Sequence, residues 1–129
     1  MSGGAGRDRF LFDSTNASPG FGNDQISAFC TTGGRDFNPS EGDTLVFKVN
    51  PGFDPCGGDA VVQSGDWDGD GDALDVLVMT AAGSVLVEDF WEGAAAEIQA
   101  MATAGAFDSV CAINAYAQAT WGNDMMIFN

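Results

Sequence analysis

Short apolar runs, set apart by clusters of Gly, Asn, Asp, Ser and Pro, dominate the pattern of this chain. The first 43 residues are punctuated in this way, with apolar runs at 10–12 and 26–29, which reads as short strands between turns. A firmer strand is predicted over 44–49, followed by a loop over 50–58 that holds Pro51 and Pro55, then a strand over 60–63. Residues 76–80 and 84–88 flank the connector Ala81, Ala82, Gly83, the spacing of a β-hairpin with a glycine in its turn.

The period changes once. Over 93–104 the residues become Ala, Glu, Gln and Met, with Ala94, Ile98, Met101 and Ala102 at helical spacing and Gly105 placed to stop the run. One amphipathic helix is expected there, its apolar stripe serving the core as in any packed helix. The tail returns to small and apolar residues at 110–117 and ends on Asp124, Met125, Met126, Ile127, Phe128, Asn129, a strand suited to docking on a sheet. At 129 residues the chain fits one domain, 1–129, with a glycine-rich segment over 1–49 and a second region over 59–129.

Charge narrows the choice of partner. Nineteen acidic side chains against four basic ones, with no histidine, give a formal charge of −15. A compact state then repels itself unless cations neutralise it. Nucleic acid and anionic membrane surfaces are poor partners, since Arg7, Arg9, Arg35 and Lys48 are all that could displace counterions. Hydrophobic residues make up 45% of the chain, enough to separate it from disordered acidic sequences. No run of 18 or more apolar residues would cross a membrane, and the N-terminus lacks the basic and apolar regions of a signal peptide. Cys30, Cys56 and Cys111 are compatible with one disulfide plus one further thiol, or with three small buried side chains. Three thiols without histidine suit neither a structural zinc site nor a base-assisted nucleophile.

Two acidic motifs carry the candidate chemistry. Gly3, Gly4, Ala5, Gly6, Arg7, Asp8, Arg9, Phe10, Leu11 satisfy GGxGxDxUx at every constrained position, where U is a large apolar residue. The glycines permit positive φ and leave carbonyl oxygens exposed, Asp8 adds charge, and Phe10 starts an inward-facing strand; hard cations such as Ca²⁺ prefer such oxygen donors. A degraded copy follows at Gly20, Phe21, Gly22, Asn23, Asp24, Gln25, Ile26, with Pro19 in place of the first glycine. A glycine-rich terminus also arises from a plain linker, but the in-phase Asp8 and Phe10 and the second copy argue for the motif.

The stretch GGAGRDRFLFDS, then GNDQISAF, then RDFNPSEGDTLVF resembles the end of the β-roll in RTX (hemolysin-type calcium-binding nonapeptide) proteins, such as the C-terminal region of serralysin-type, type I secreted proteins. The resemblance is close over about a third of the chain. It implies a Ca²⁺-bound parallel roll capped by a β region, with Gly4, Gly6, Asp8, Gly20, Gly22, Asp24, Asp36 and Asp43 on the metal-binding pattern. It also implies type I export without a cleaved signal, a reading to which the acidic-then-apolar ending adds. Gly20 lies 16 positions after Gly4, not a multiple of nine, so the two copies need not stack on each other. A second chain completing the cage would make calcium a cement between subunits.

The second motif, Asp66, Trp67, Asp68, Gly69, Asp70, Gly71, Asp72, Ala73, Leu74, Asp75, places carboxylates at positions one, three and five and glycine at six, as in the first half of an EF-hand loop. Position twelve is Leu77 rather than a bidentate Glu, and Asp75 lies one residue past position nine, so the loop is closer to the DxDGDG loops of dockerin-like and integrin-type repeats. Asp66, Asp68, Asp70, Asp72 and Asp75 are the candidate ligands; a solvated acidic turn is the plainer account. Nothing sets two carboxylates across a substrate as in a glycosidase, and without histidine the zinc-protease HExxH motif is impossible.

These readings converge on a mainly β chain, a short calcium-binding parallel β-roll or β-sandwich-like domain with one helix near 93–104. The expected function is non-enzymatic: a secreted, Ca²⁺-dependent structural or adhesive module that folds, and self-assembles, outside the cell. Two other classes remain open, a secretion and folding domain of a larger type I secreted hydrolase, and a carbohydrate-binding module presenting Trp67, Trp91 and Trp121.

Overall fold

The structure, a computed structural model, describes residues 9–15, 20, 22–26, 42–67, 69, 74–88, 90–91 and 95–129. Seven strands and two helices follow in the order β1 (Arg9–Asp13), β2 (Gly22–Ile26), β3 (Thr44–Lys48), β4 (Ala60–Gly65), β5 (Asp75–Thr80), β6 (Gly83–Val87), α1 (Ala96–Thr103), α2 (Val110–Trp121) and β7 (Met126–Phe128). The protein is mainly β, and the strands form two sheets, neither of which closes into a barrel among the described residues.

The first sheet runs β1-β3-β7 and is parallel throughout, with Phe12 opposite Phe47 and Phe47 opposite Phe128. Parallel in-register pairing stacks like on like. The three rings form a ladder, at 5.2 Å for Phe12–Phe47 and 5.0 Å for Phe47–Phe128, and Phe53 extends it at 5.5 Å. Each such pair contributes about 0.5–1.5 kcal/mol beyond the area it buries. The neighbouring row, Phe10, Leu45 and Met126, is also buried.

The second sheet runs β2-β6-β5-β4. β4, β5 and β6 form an antiparallel meander, while β2 lies parallel to β6 with Ile26 opposite Val87. Alternation sends Val62, Val76, Val78, Val85, Val87 and Ile26 inward, all 0–1% exposed. Residues of both sheets and both helices join one hydrophobic core. In chain order β1, β2, β3 and the β4–β6 meander alternate between the sheets, and β7 returns to the first.

Most predicted strands stand within a residue or two of their expected limits. The strand expected over 26–29 is instead Gly22–Ile26, and residues 27–29 lie outside the described set. The hairpin turns through Ala81 and Ala82 alone, with Thr80 opposite Gly83. Between β3 and β4 a turn over Pro55–Asp59 is tied by Asp54, whose carboxylate accepts from Gly57 N at 2.9 Å.

The helical content corrects the expectation of a single helix. α1 covers Ala96–Thr103 within the expected span, but its stripe is not uniformly buried, since Ala102 is enclosed and Met101 is 45% exposed. The segment over 110–117, read only as small and apolar and assigned to no element, is the body of a second helix, α2. Ser109 caps it by accepting from Ala112 N at 3.1 Å, and Gly122 ends it at φ 81° in the left-handed region that glycine adopts without strain. Val110, Ile113 and Ala117 give it a buried face.

The cysteines are also settled in part. Cys56 and Cys111 form a disulfide, with Cα atoms 5.5 Å apart, that ties the turn after β3 to the first turn of α2. Both residues are exposed, so they are not the small buried side chains of the alternative account. Cys30 lies outside the described residues.

Candidate metal centre

The glycine-aspartate motifs lead directly into strands. Phe10, the large apolar residue of the first copy, sits in β1 at 6% exposure, and its neighbour Leu11 points outward at 67%. Ile26 holds the equivalent place of the second copy in β2 at 1% exposure. The two copies therefore feed different sheets. Gly20 and Gly22 both adopt positive φ, 72° and 80°, the backbone state for which the motif needs glycine. Asp24 is half-buried on β2, the edge strand of the second sheet. Gly4, Gly6, Asp8 and Asp36 lie outside the described residues.

Asp43 is fully buried immediately before β3. Asp43 stands two positions before Leu45 and Asp124 two positions before Met126, and Leu45 and Met126 are opposite each other in the register, so both carboxylates lie at the same end of the parallel pair β3 and β7. Neighbouring strands stand about 4.8 Å apart. Asp124 was not among the sequence-based ligands, although its signal was there: Asp8, Asp24, Asp43 and Asp124 each precede by two a large apolar residue, respectively Phe10, Ile26, Leu45 and Met126. All four apolar residues are buried. The Asp124 carboxylate also accepts from Gln118 Nε2 at 3.0 Å.

The acidic loop joins β4 to β5 across the mouth of that hairpin, where Gly65 pairs with Asp75. Its two ends are tied by side chains. Asp75, fully buried, accepts from Trp67 N at 2.9 Å, and Asp66 accepts from Gly69 N at 3.0 Å, with Gly69 at φ 80°. Asp75 thus holds the loop to its own strand, and one of its oxygens is committed to that work. Asp68, Asp70 and Asp72 lie outside the described residues. Among the described residues, no three Asp, Glu, Cys or His side chains gather as a metal-binding group.

One carboxylate has a clear electrostatic environment. Asp13, at the end of β1, accepts from the Thr15 hydroxyl at 2.5 Å and from Thr15 N at 2.9 Å. Those hydrogen bonds, with Lys48 opposite on β3, hold its carboxyl below the ordinary value of 3.8.

The tryptophans separate into two kinds. Trp91 is 1% exposed, donates from Nε1 to Ser64 Oγ at 3.1 Å and packs on Phe107 at 4.8 Å, so it cannot present a face to a sugar. Trp121 lies half-buried against Phe90 and Tyr116. Only Trp67 among the three is counted as exposed, at 41%. No described helix is long and apolar enough to cross a membrane. Compared with family models, with curated proteins and with solved structures, the chain matches none.

Proposed function

We propose that this chain is an RTX-like, calcium-binding extracellular module, structural or adhesive rather than enzymatic, whose first strands wind as a short roll and whose folding is coupled to Ca²⁺. The observation that carries the reading is the placement of the two motif copies. Each ends in a buried apolar residue, Phe10 or Ile26, and these lie on parallel-paired strands of different sheets. A roll winds in this way, sending successive turns to opposite sheets and leaving glycine-aspartate turns at the corners.

Charge supports the same reading. Carboxylates gathered at one end of a sheet repel one another. Asp43 and Asp124 precede the paired strands β3 and β7 at the same end of the first sheet, and Asp8 precedes Arg9 in the sequence as Asp43 precedes Thr44, the partner of Arg9 in the register. A divalent cation offsets such repulsion. Because it binds the folded arrangement and not the open chain, its binding free energy adds to folding stability.

The Cys56–Cys111 bridge supports placement outside the cell, since disulfides persist in oxidising compartments and are rare in the cytosol. Export unfolded through a type I route, followed by calcium binding and oxidation outside, accounts for both features. Bridging of subunits by shared ions is part of the proposal, since an incomplete roll leaves open turns for another copy.

Circular dichroism and calorimetry of the full chain in chelator and with added Ca²⁺ test the reading. The expected result is a gain of β signal and a rise in Tm of more than 10 °C on adding Ca²⁺, with measurable heats. A folded spectrum that Ca²⁺ leaves unchanged, together with no heat of binding, overturns it.

A further inference from the structure

The outer face of the second sheet has a composition unlike the rest of this acidic chain. Alternation from the inward valines points Val61 and Gln63 of β4, Leu77 and Met79 of β5, Ser84 and Leu86 of β6, and Asn23 of β2 to the opposite side. Among the described residues, the hydrophobic core and the side chains packed against it do not include Val61, Leu77, Met79 or Leu86. Across these two rows of four strands there is no charged side chain, in a chain of net charge −15, while the next row, at the Gly65 end, carries the buried Asp75.

Trp67 closes one end of this face. A Cβ on Gly65 would point to the same side as Gln63 and would meet the six-membered ring of Trp67 at 2.9 Å, so the indole lies directly over that glycine. The buried Asp75 fixes the backbone beneath it through Trp67 N. One side of the ring therefore rests on the sheet, while the residue stays 41% exposed. An aromatic ring already resting on a surface has fewer orientations to lose when a ligand stacks on it.

We propose that this face is a binding site for a neutral polysaccharide, with a pyranose ring stacked on Trp67 and the Gln63 carboxamide bonding to its hydroxyls. Charge narrows the occupant, since a field of −15 disfavours polyanions everywhere on the molecule. The apolar side of a sugar ring matches the indole and the Leu77 and Leu86 surface, and its hydroxyls match amides at the rim. A second copy of the chain would bring its own 15 negative charges to the contact.

Affinity electrophoresis of the full chain through gels containing neutral polysaccharides (a β-glucan, an α-glucan, a mannan), run with Ca²⁺ and with chelator, tests the site. Retardation by at least one of them is expected. Trp67→Ala should weaken it tenfold or more, Trp67→Phe should restore part of it, and Leu11→Ala on the other sheet should leave it unchanged. Titrating the retarding polysaccharide should also shift the tryptophan emission of the unaltered protein. The proposal is overturned by no retardation in any of these gels, or by retardation that Trp67→Ala leaves intact. A concentration-dependent dimer in sedimentation that Trp67→Ala dissolves, without any retardation, would give the face to a second copy. Retardation in calcium sustains this site even where the calorimetric test of calcium-coupled folding fails, so the two failures can be told apart.

Discussion

The carboxamide of Asn114 takes the place of a neighbouring strand at Met126. From α2 it donates to the Met126 carbonyl at 3.0 Å and accepts from the amides of Met126 at 3.0 Å and Met125 at 3.1 Å. The other side of β7 is bound to β3, with Leu45 N donating to Met125 O and Asn129 N to Phe47 O. One side chain thus satisfies the outer backbone groups at the start of a three-residue edge strand, which would otherwise be left unpaired. With each hydrogen bond contributing about 1 kcal/mol net, Asn114→Ala should cost roughly 2–3 kcal/mol in urea unfolding. Amide exchange at Met125 and Met126 should quicken well beyond that of β5. Unchanged protection of those two amides would show that β7 does not depend on Asn114.

The disulfide fixes the base of the same arm. It closes a loop with a sequence separation of 55, for which the chain-entropy relation gives about 4 kcal/mol, and measured bridges commonly contribute about 2–4 kcal/mol. Reduction, or the pair Cys56→Ser and Cys111→Ser, should lower stability by that amount and loosen α2 and β7 first. Thermal melts with and without reductant measure the loss. Melts that coincide would mean that core packing alone holds the arm.

Much of the β architecture was legible because buried strands impose a period of two and turns demand particular residues. Phe10 and Ile26 could be placed inward from their motif positions, and the β5–β6 hairpin from its short connector. α2 was not read, because Val110, Cys111, Ile113 and Ala117 are as compatible with a buried strand as with a helix when the period is judged over few residues. Its true signals were at the ends, Ser109 as cap and Gly122 as stop. The parallel pairing of β7 with β3 and the choice of Cys56 and Cys111 among three thiols are long-range facts that local pattern does not encode. Of the candidate site, the motif glycines and inward residues were legible. That Asp43 and Asp124 precede paired strands at one end of the first sheet needed the register.

Gly65 is where the acidic loop and the outer face meet. Gly65→Ala puts a methyl group within 2.9 Å of the Trp67 ring, closer than carbon atoms tolerate. The indole is half free and can swing aside, so the stability cost should stay below about 1 kcal/mol, within the range of surface substitutions and mild crowding. The ring itself should move: the exposed tryptophan component of the emission should shift to the red and quench more readily with acrylamide. The double variant Gly65→Ala with Trp67→Phe should lose that component altogether. A Gly65→Ala protein with unaltered quenching would show that the ring is not seated on the glycine.

Acid behaviour provides a local test at the end of β1. The Asp13 carboxyl is held below 3.8 first by the Thr15 hydroxyl, then by Thr15 N, with Lys48 adding attraction and slight desolvation opposing. As pH falls, the unfolded chain takes up this proton before the folded one does. The stabilisation is therefore complete above the unfolded value and disappears as pH drops through the lower folded value. Asp13→Asn should accordingly be less stable than the unaltered protein at pH 7, with the gap closing below about pH 4. Asp13 is fully exposed, so the gap is small, and its Lys48 share should shrink in 1 M salt, where the screening length falls to about 3 Å. Urea midpoints of both proteins at pH 7, 4 and 2.5, in low and high salt, measure it. A gap that persists unchanged at pH 2.5 would assign the effect of Asp13 to packing rather than to its charge.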